Sequence, residues 1–230
     1  MEISPLGDSA LIVHLGEQSP SSLDDVLDLV ARLKRAQIPG VIELAPAYTS
    51  VAVFFDPLHV MASGAKADSV FDWLEERIRL ALADEDGATR ALPNLVEVPV
   101  CYEEKFAIDL DEVSNHAGLS PREVVDLHCR GDYRVSCLGF TPGFPFLSGL
   151  PDQLATPRRS VPRKEVPAGS VAIGGGQTGI YPIRSPGGWN VIGRTPLRFF
   201  DPNKLPPALL HPGDRVRFRS ITLDEFEAWS

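Results

Sequence analysis

Hydrophobic positions follow two different spacings in the first 92 residues of the chain. Two stretches carry apolar residues at helical spacing, and three short apolar runs have the length of β-strands. These are helices at 22–37 and about 67–83, and strands at 10–15, 41–44 and 49–55. Ser21 or Ser22 is the expected N-cap of the first helix, and Pro39-Gly40 ends it. The order of these elements predicts a small α+β domain with helices on one side of a sheet.

The pattern changes after an acidic, polar linker at 84–94. One strand and two short helices come first, and only short β-like runs follow. The strand is 95–100, the helices are 110–117 and 121–129, and the later runs are 133–138, 169–173, 178–183, 189–192, 196–200 and 214–219. Ser120 is the expected N-cap of the second helix, with Pro121 in its first position. Because glycine and proline separate so many short strands, we predict a barrel or sandwich, and two domains, 1–92 and 93–230.

Charge divides unevenly between these two halves. The chain has 22 Lys+Arg and 31 Asp+Glu, a formal net charge of −9, which argues against nucleic acid or an anionic membrane as a partner. Residues 1–92 carry 7 basic and 15 acidic side chains, a net charge of −8. Within 157–198, by contrast, seven basic residues accompany one acidic residue, Glu165, so this stretch has a net charge of +6. The basic stretch is where we expect anion chemistry.

Cysteine usage and the absence of long apolar runs predict a cytoplasmic protein. No stretch approaches the roughly 18 apolar residues of a membrane helix, and the N-terminus does not resemble a secretory signal. The three cysteines lack CxxC spacing and fit reduced thiols. Cys137 is expected to be a small buried residue, because no base for a nucleophilic thiol can be assigned.

The glycine run at 174–179 matches the string G-x-G-x-x-G. A dinucleotide site needs a helix directly after such a run, and Pro182 and Pro186 prevent one. No Walker A string for ATP is present either. Two alternatives remain open for the glycines: a turn or a close approach of strands, or a nest of backbone N–H groups that binds phosphate or carboxylate.

The five histidines are scattered without metal-ligand spacing, so no metal site is predicted. His128 lies late in a predicted helix. A protonated imidazole there would stabilise the helix C-terminus, and the alternative is a proton carrier at a catalytic site.

Two further clusters in the second half leave a structural and a functional alternative open. The segment 139–147 holds three phenylalanines and two prolines, so it is either a buried corner or a rigid apolar contact surface. Arg158, Arg159 and Arg163 lie among prolines. They either face solvent, as most charges do, or bind an anion or an acidic partner, because a fixed guanidinium suits carboxylate and phosphate.

Five strings of the second half are distinctive: 139–147 (GFTPGFPFL), 157–159 (PRR), 166–173 (VPAGSVAI), 177–182 (QTGIYP) and 185–196 (SPGGWNVIGRTP). They resemble the KipI family, whose members are also called the B-subunit of 5-oxoprolinase or allophanate hydrolase subunit 1. Shorter matches run from 7–10 (GDSA) to 212–214 (PGD), so the resemblance covers the whole chain.

The resemblance implies an α+β N-terminal domain followed by an all-β, cyclophilin-like barrel domain. It also implies that the chain is the B-subunit of an ATP-dependent 5-oxoprolinase, which converts 5-oxo-L-proline to L-glutamate together with an A-subunit and a KipA-like C-subunit. Such a protein is not expected to be active alone. The ATP site of the enzyme is not expected to lie within this chain alone. Two alternatives remain: a KipI-type inhibitor of a sensor histidine kinase, and a urea- or allophanate-related hydrolase subunit.

Under the first hypothesis we assign roles to the candidate residues of the second half. Arg158, Arg159 and Arg163 bind the anionic substrate, Gly174, Gly175 and Gly176 supply backbone donors, Gln177, Tyr181 and Asn190 supply polar contacts, His128 carries a proton, and Phe140, Phe144 and Phe146 contact the partner.

Overall fold

The structure is a computed structural model that describes residues 1–15, 23–83 and 92–229. Internal contacts divide the chain into two compact units, Met1–Leu92 and Pro93–Ser230. Each unit has a hydrophobic core of its own. The predicted N-cap at Ser21 or Ser22 and most of the predicted linker lie outside the described residues. Within the described part of the chain, no helix is both long and apolar enough to cross a membrane.

The first unit combines a four-stranded antiparallel sheet with helices. Its elements are β1 (Glu2–Pro5), β2 (Ala10–His14), α1 (Leu23–Ala36), β3 (Val41–Ala47), β4 (Ser50–Phe55), α2 (Pro57–Ala62) and α3 (Val70–Ala83). The strand order is β1-β2-β4-β3. Alternate residues of β4, Val51, Val53 and Phe55, are buried, because successive side chains of a strand point to opposite faces.

Most predicted elements of this unit are confirmed, and two short ones were missed. Strand β1 is four residues long, with only two half-buried positions. Helix α2 begins at a cap that the sequence displays: the Asp56 carboxylate accepts hydrogen bonds from the N–H groups of Leu58 and His59, and Pro57 follows it. Both elements are too short to carry a recognisable hydrophobic period.

The second unit is built around a barrel. Its elements are β5 (Leu95–Cys101), α4 (Leu110–Ala117), α5 (Pro121–Arg130), β6 (Tyr133–Leu138), β7 (Pro145–Ser148), a 3-10 helix (Asp152–Leu154), β8 (Arg163–Val166), β9 (Ser170–Gly174), β10 (Gln177–Ile180), β11 (Ser185–Gly187), β12 (Asn190–Arg194), β13 (Arg215–Ile221) and α6 (Leu223–Glu227). Seven strands close in the order β10-β7-β6-β13-β5-β12-β9, so the predicted barrel is confirmed. Strands β8 and β11 form a separate two-stranded sheet.

Strand pairing in the barrel brings distant parts of the sequence together. Strand β13 runs parallel to β5 over seven residue pairs, and the other barrel pairs are antiparallel. Helix α5 packs on β13 and begins at a capping box: Ser120 accepts from the Glu123 N–H, and the Glu123 carboxylate accepts from the Ser120 N–H. The predicted cap at Ser120 is therefore confirmed.

One predicted strand of this unit is absent from the structure, and a short strand was missed. The run 196–200 is not a strand, although Phe199 is buried and Phe200 makes an isolated bridge to Ala208. The phenylalanine-rich segment 139–147 follows β6, turns and enters β7 at Pro145, a strand that is not among the predicted ones. Pro145 is tolerated there because it is the first residue of its strand.

Candidate functional site

A pocket of about 310 Å³ opens in the second unit. It is lined by Phe140, Phe144, Phe146, Arg158, Arg159, Pro162, Tyr181, Pro186, Gly187, Gly188 and Trp189. Six of the residues that the sequence singled out therefore meet at one place, although they come from three separate segments. The β6–β7 turn, the segment before β8 and the β10–β12 region each contribute one side of the pocket.

Phe144 is the centre of the aromatic wall. Its ring centroid lies 4.9 Å from that of Phe146, 5.2 Å from Tyr181 and 5.5 Å from Trp189. Phe144 is 2% exposed, so it belongs to the packed wall and is not available to a partner on the surface. Of the three predicted partner contacts, Phe140 reaches the surface furthest, at 64% exposure.

Arg158 supplies the pocket with a positive charge that has no carboxylate partner among the described residues. Its guanidinium carbon lies 5.6 Å from the centroid of the Trp189 ring, a cation–π contact. The side chain is exposed. A guanidinium placed in this way offers its N–H fork to an anion.

Tyr181 is the polar group of the aromatic wall. Burial raises the pKa of its hydroxyl, against the smaller opposing effects of a hydrogen bond from the main-chain N–H of Trp189 and the charge of Arg158. The hydroxyl is therefore protonated at neutral pH. Because its oxygen accepts from Trp189, its own proton can be donated to a ligand.

Arg159 and Arg163 are held by a residue that the sequence reasoning did not select, Asp109. Arg163 donates two hydrogen bonds to the carboxylate, of 2.8 and 2.7 Å, and Arg159 donates one of 2.9 Å. The Val191 N–H donates a fourth, of 2.7 Å. Arg159 also pairs with Glu112 at 2.9 Å. The predicted three-arginine anion site is thus divided: two arginines are engaged with carboxylates, and Arg163 does not line the pocket.

Asp109 was overlooked because it stands where a helix cap is expected. It is the N-cap residue of α4, but its side chain makes no capping hydrogen bond, and the residue as a whole is only 3% exposed. The sequence does carry an indirect signal. A stretch with seven basic residues and one acidic residue needs counter-charges from elsewhere in the chain once it is packed.

The glycine run forms the β9–β10 hairpin, with Gly174 paired to Gln177 across a two-residue turn. Gly175 has φ +64°, and its N–H donates to the Thr156 carbonyl, so that donor is already used. Packing requires a glycine at position 174, because a Cβ there would lie 2.5 Å from the Trp189 ring. None of these glycines lines the pocket. The arrangement corresponds to the turn alternative and not to an open N–H nest.

Neither Asn190 nor Gln177 lines the pocket. Asn190 is 1% exposed, and its amide donates to the carbonyls of Pro157, at 2.9 Å, and Ile173, at 3.3 Å. Because Pro157 precedes Arg158, Asn190 fixes the segment that carries the unpaired guanidinium. Gln177 is a half-buried residue of β10.

His128 lies in the barrel core, not at the pocket. Its Nδ1 is 2.9 Å from the Tyr102 hydroxyl and its Nε2 is 3.0 Å from the Thr178 hydroxyl. Thr178 donates its proton to the Ala172 carbonyl and so accepts from Nε2–H, which leaves Nδ1 to accept from Tyr102. Burial lowers the pKa of His128 to about 3, so the protonated imidazole expected from the sequence does not form at neutral pH.

The fold and the pocket together define a barrel protein whose aromatic pocket is bordered by a guanidinium group. The chain belongs to the carboxyltransferase-domain family: the model described as "Carboxyltransferase domain, subdomain C and D" matches residues 1–210. The protein named as the B-subunit of 5-oxoprolinase from Bacillus subtilis (strain 168) is 43% identical over 99% of this chain and 96% of its own length. The protein of that name from Escherichia coli O157:H7 is 42% identical over 93% of each chain.

A solved structure agrees with this placement. The crystal structure of TTHA0988 matches with a TM-score of 0.75 and 37% identity over 92% of this chain. The match covers 40% of the TTHA0988 chain, so the present chain spans less than half the length of that protein.

Proposed function

We propose that this chain is the B-subunit of an ATP-dependent 5-oxoprolinase and that its pocket holds 5-oxo-L-proline. The full-length similarity to proteins of that name supports the role within a larger enzyme. One structural observation supports the substrate site: the unpaired guanidinium of Arg158 over Trp189 in an otherwise aromatic pocket of about 310 Å³. 5-Oxo-L-proline is a small ring with one carboxylate, and such a pocket matches both parts.

The binding mode follows from the chemistry of the lining. The substrate carboxylate pairs with Arg158, and the apolar edge of the ring packs on Phe144 and Trp189. The Tyr181 hydroxyl then donates to the lactam oxygen. Resonance makes the lactam C–N bond unreactive. A hydrogen bond to its oxygen favours the tetrahedral state in which a nucleophile has added to the carbonyl carbon.

The remaining chemistry belongs to the other two proteins of the enzyme in this proposal. Opening the ring breaks the lactam C–N bond and adds the elements of water, giving a second carboxylate and a free amine. ATP drives this step. We propose that the ATP site is not formed by this chain alone, because the glycine run here is a hairpin turn. The KipA-like C-subunit and the A-subunit complete the enzyme. In TTHA0988 the part that matches this chain is joined to further sequence, which supports a role for this chain together with other protein parts.

Three finer assignments are also proposals. We assign the barrel to the cyclophilin-like type, and we place the helices of the first unit on one side of its sheet. We assign His128 a structural role, because its imidazole is buried, both ring nitrogens are hydrogen-bonded within the protein, and the residue does not line the pocket.

Reconstitution tests the proposed function. The three purified proteins are assayed for ATP hydrolysis that depends on 5-oxo-L-proline, and each of them is omitted in turn. We expect turnover with all three and none without this chain. Turnover that is unchanged without it would overturn the proposal. Inhibition of a purified sensor histidine kinase by this chain, together with no turnover in the full mixture, would favour the inhibitor alternative.

A further inference from the structure

We propose that Asp109 determines the charge of the pocket and thereby restricts its ligand to a monoanion. The inference rests on the proposed function, since it concerns the same pocket. It assigns a specificity-determining role to a residue that does not line the pocket and acts through the arginines that it holds.

The charges around the pocket nearly cancel. Three arginines, Arg158, Arg159 and Arg163, bring three positive charges. Asp109 and Glu112 bring two negative charges, and both are within 2.9 Å of a guanidinium nitrogen. One positive charge remains. It belongs to Arg158, which has no ion pair in the described part of the chain.

Asp109 contributes more to this balance than Glu112 does. The Asp109 side chain is 2% exposed, whereas that of Glu112 is 59% exposed. Solvent screens the charge of Glu112 but screens the buried carboxylate much less. Asp109 also fixes the position of both arginines, through the bidentate pair to Arg163 and the bond to Arg159.

The rest of the lining makes a second ligand charge unfavourable. Beyond the arginines the pocket presents prolines, glycines and aromatic rings, and the hydroxyl of Tyr181, which is protonated, carries no charge to pair with a second anionic group. A ligand with a second anionic group would place it against this apolar surface without a free cation, and an unpaired charge in such surroundings is costly. A cyclic monoanion fits the pocket, and an open-chain dianion of similar size does not.

Calorimetric titration of the full chain tests this with two ligands of five carbons each. 5-Oxo-L-proline is the cyclic monoanion and glutarate is the open-chain dianion. The wild-type chain should bind 5-oxo-L-proline more tightly. Asp109→Asn keeps the shape of the side chain and frees the charge of its arginines, so the ratio of the two Kd values should move toward glutarate by about fivefold or more.

Two further variants keep the test decisive. Glu112→Gln removes the exposed partner of Arg159 and should move the ratio in the same direction by a smaller factor, and it serves alone if Asp109→Asn does not fold. Asp132→Asn makes the same charge change at an exposed pair with Arg215, outside the pocket lining, and should leave the ratio unchanged.

The possible results distinguish the proposed substrate pocket from the proposed role of Asp109. A wild-type preference for 5-oxo-L-proline with no shift in the Asp109→Asn or Glu112→Gln chain would overturn the inference and leave the proposed function standing. A wild-type chain that binds neither ligand would overturn the pocket assignment and the inference together. A ratio that shifts equally in Asp132→Asn would show a general effect of net charge and would also overturn the inference.

Discussion

Asp109 and Arg163 form a bidentate pair across 54 residues of sequence, with hydrogen bonds of 2.8 and 2.7 Å to the two carboxylate oxygens. The carboxylate side of the pair is buried and the guanidinium side is partly exposed. The pair joins the start of helix α4 to strand β8, beside the pocket. It therefore links the stability of this region to the charge that the pocket presents.

Replacing Arg163 should lower the free energy of unfolding. Arg163→Met leaves the buried Asp109 carboxylate with fewer donors, and breaking one partner of a buried pair typically costs about 3 kcal/mol of unfolding free energy. Arg184→Met is the matched control, because Arg184 pairs with Glu165 at the surface and such pairs contribute at most about 1 kcal/mol. Urea titration followed by circular dichroism measures both. Equal losses in the two variants would show that the Asp109 pair has no special role.

Acid should destabilise the protein through His128. The folded pKa is about 3 and the ordinary value is 6.5, so below pH 6.5 the unfolded chain binds a proton that the folded chain does not. Below pH 6.5 the free energy of unfolding should therefore fall by about 1.4 kcal/mol per pH unit on acidification, until the pH approaches the pKa of His128 in the folded chain. Urea titrations between pH 7 and pH 4 measure this slope.

The control variants for this slope are His128→Gln and His116→Gln. His128→Gln should lower stability at pH 7 and remove this part of the slope, whereas His116→Gln, at an exposed position, should retain it. An unchanged slope in the His128→Gln chain would contradict a neutral buried imidazole.

Alanine substitutions in the glycine run should have different effects at different positions. In Gly174→Ala the new Cβ would lie 2.5 Å from the Trp189 ring, and such overpacking costs about 2 kcal/mol. It should also displace Trp189 and weaken ligand binding in the pocket. Gly176→Ala has open space and should change stability by less than about 0.5 kcal/mol. Thermal unfolding and the binding titration check both; equal tolerance at the two positions would contradict the packing role.

Local signals in the sequence were sufficient for some elements. Helix α5 was predicted from Ser120 and Pro121, because a cap and a first-turn proline act within four residues. The barrel was recognisable from its many short strands and turns, although the sequence alone does not say which strands pair. Strand β13, for example, pairs with β5 across about 120 residues.

Other features depend on contacts that no local pattern records. Strands β8 and β11 are four and three residues long and exist because they pair with each other. The pocket was predicted only as separate aromatic and basic segments. Asp109 was missed because a carboxylate at an N-cap position has a local explanation, and its actual partners lie 50 and 54 residues away.

Arg158→Ala tests the central claim, that this pocket binds the substrate. The side chain is exposed and makes no ion pair in the described residues, so its loss should leave the fold and the assembly of the complex unchanged. Lys164→Ala is the matched control, an exposed cation nearby in sequence that does not line the pocket. The measurement is ATP hydrolysis dependent on 5-oxo-L-proline by the reconstituted three-protein enzyme. We expect Arg158→Ala to raise KM for 5-oxo-L-proline by about tenfold or more, as for a lost charge-assisted hydrogen bond, and Lys164→Ala to behave as wild type. An Arg158→Ala enzyme with an unchanged KM would contradict the central claim.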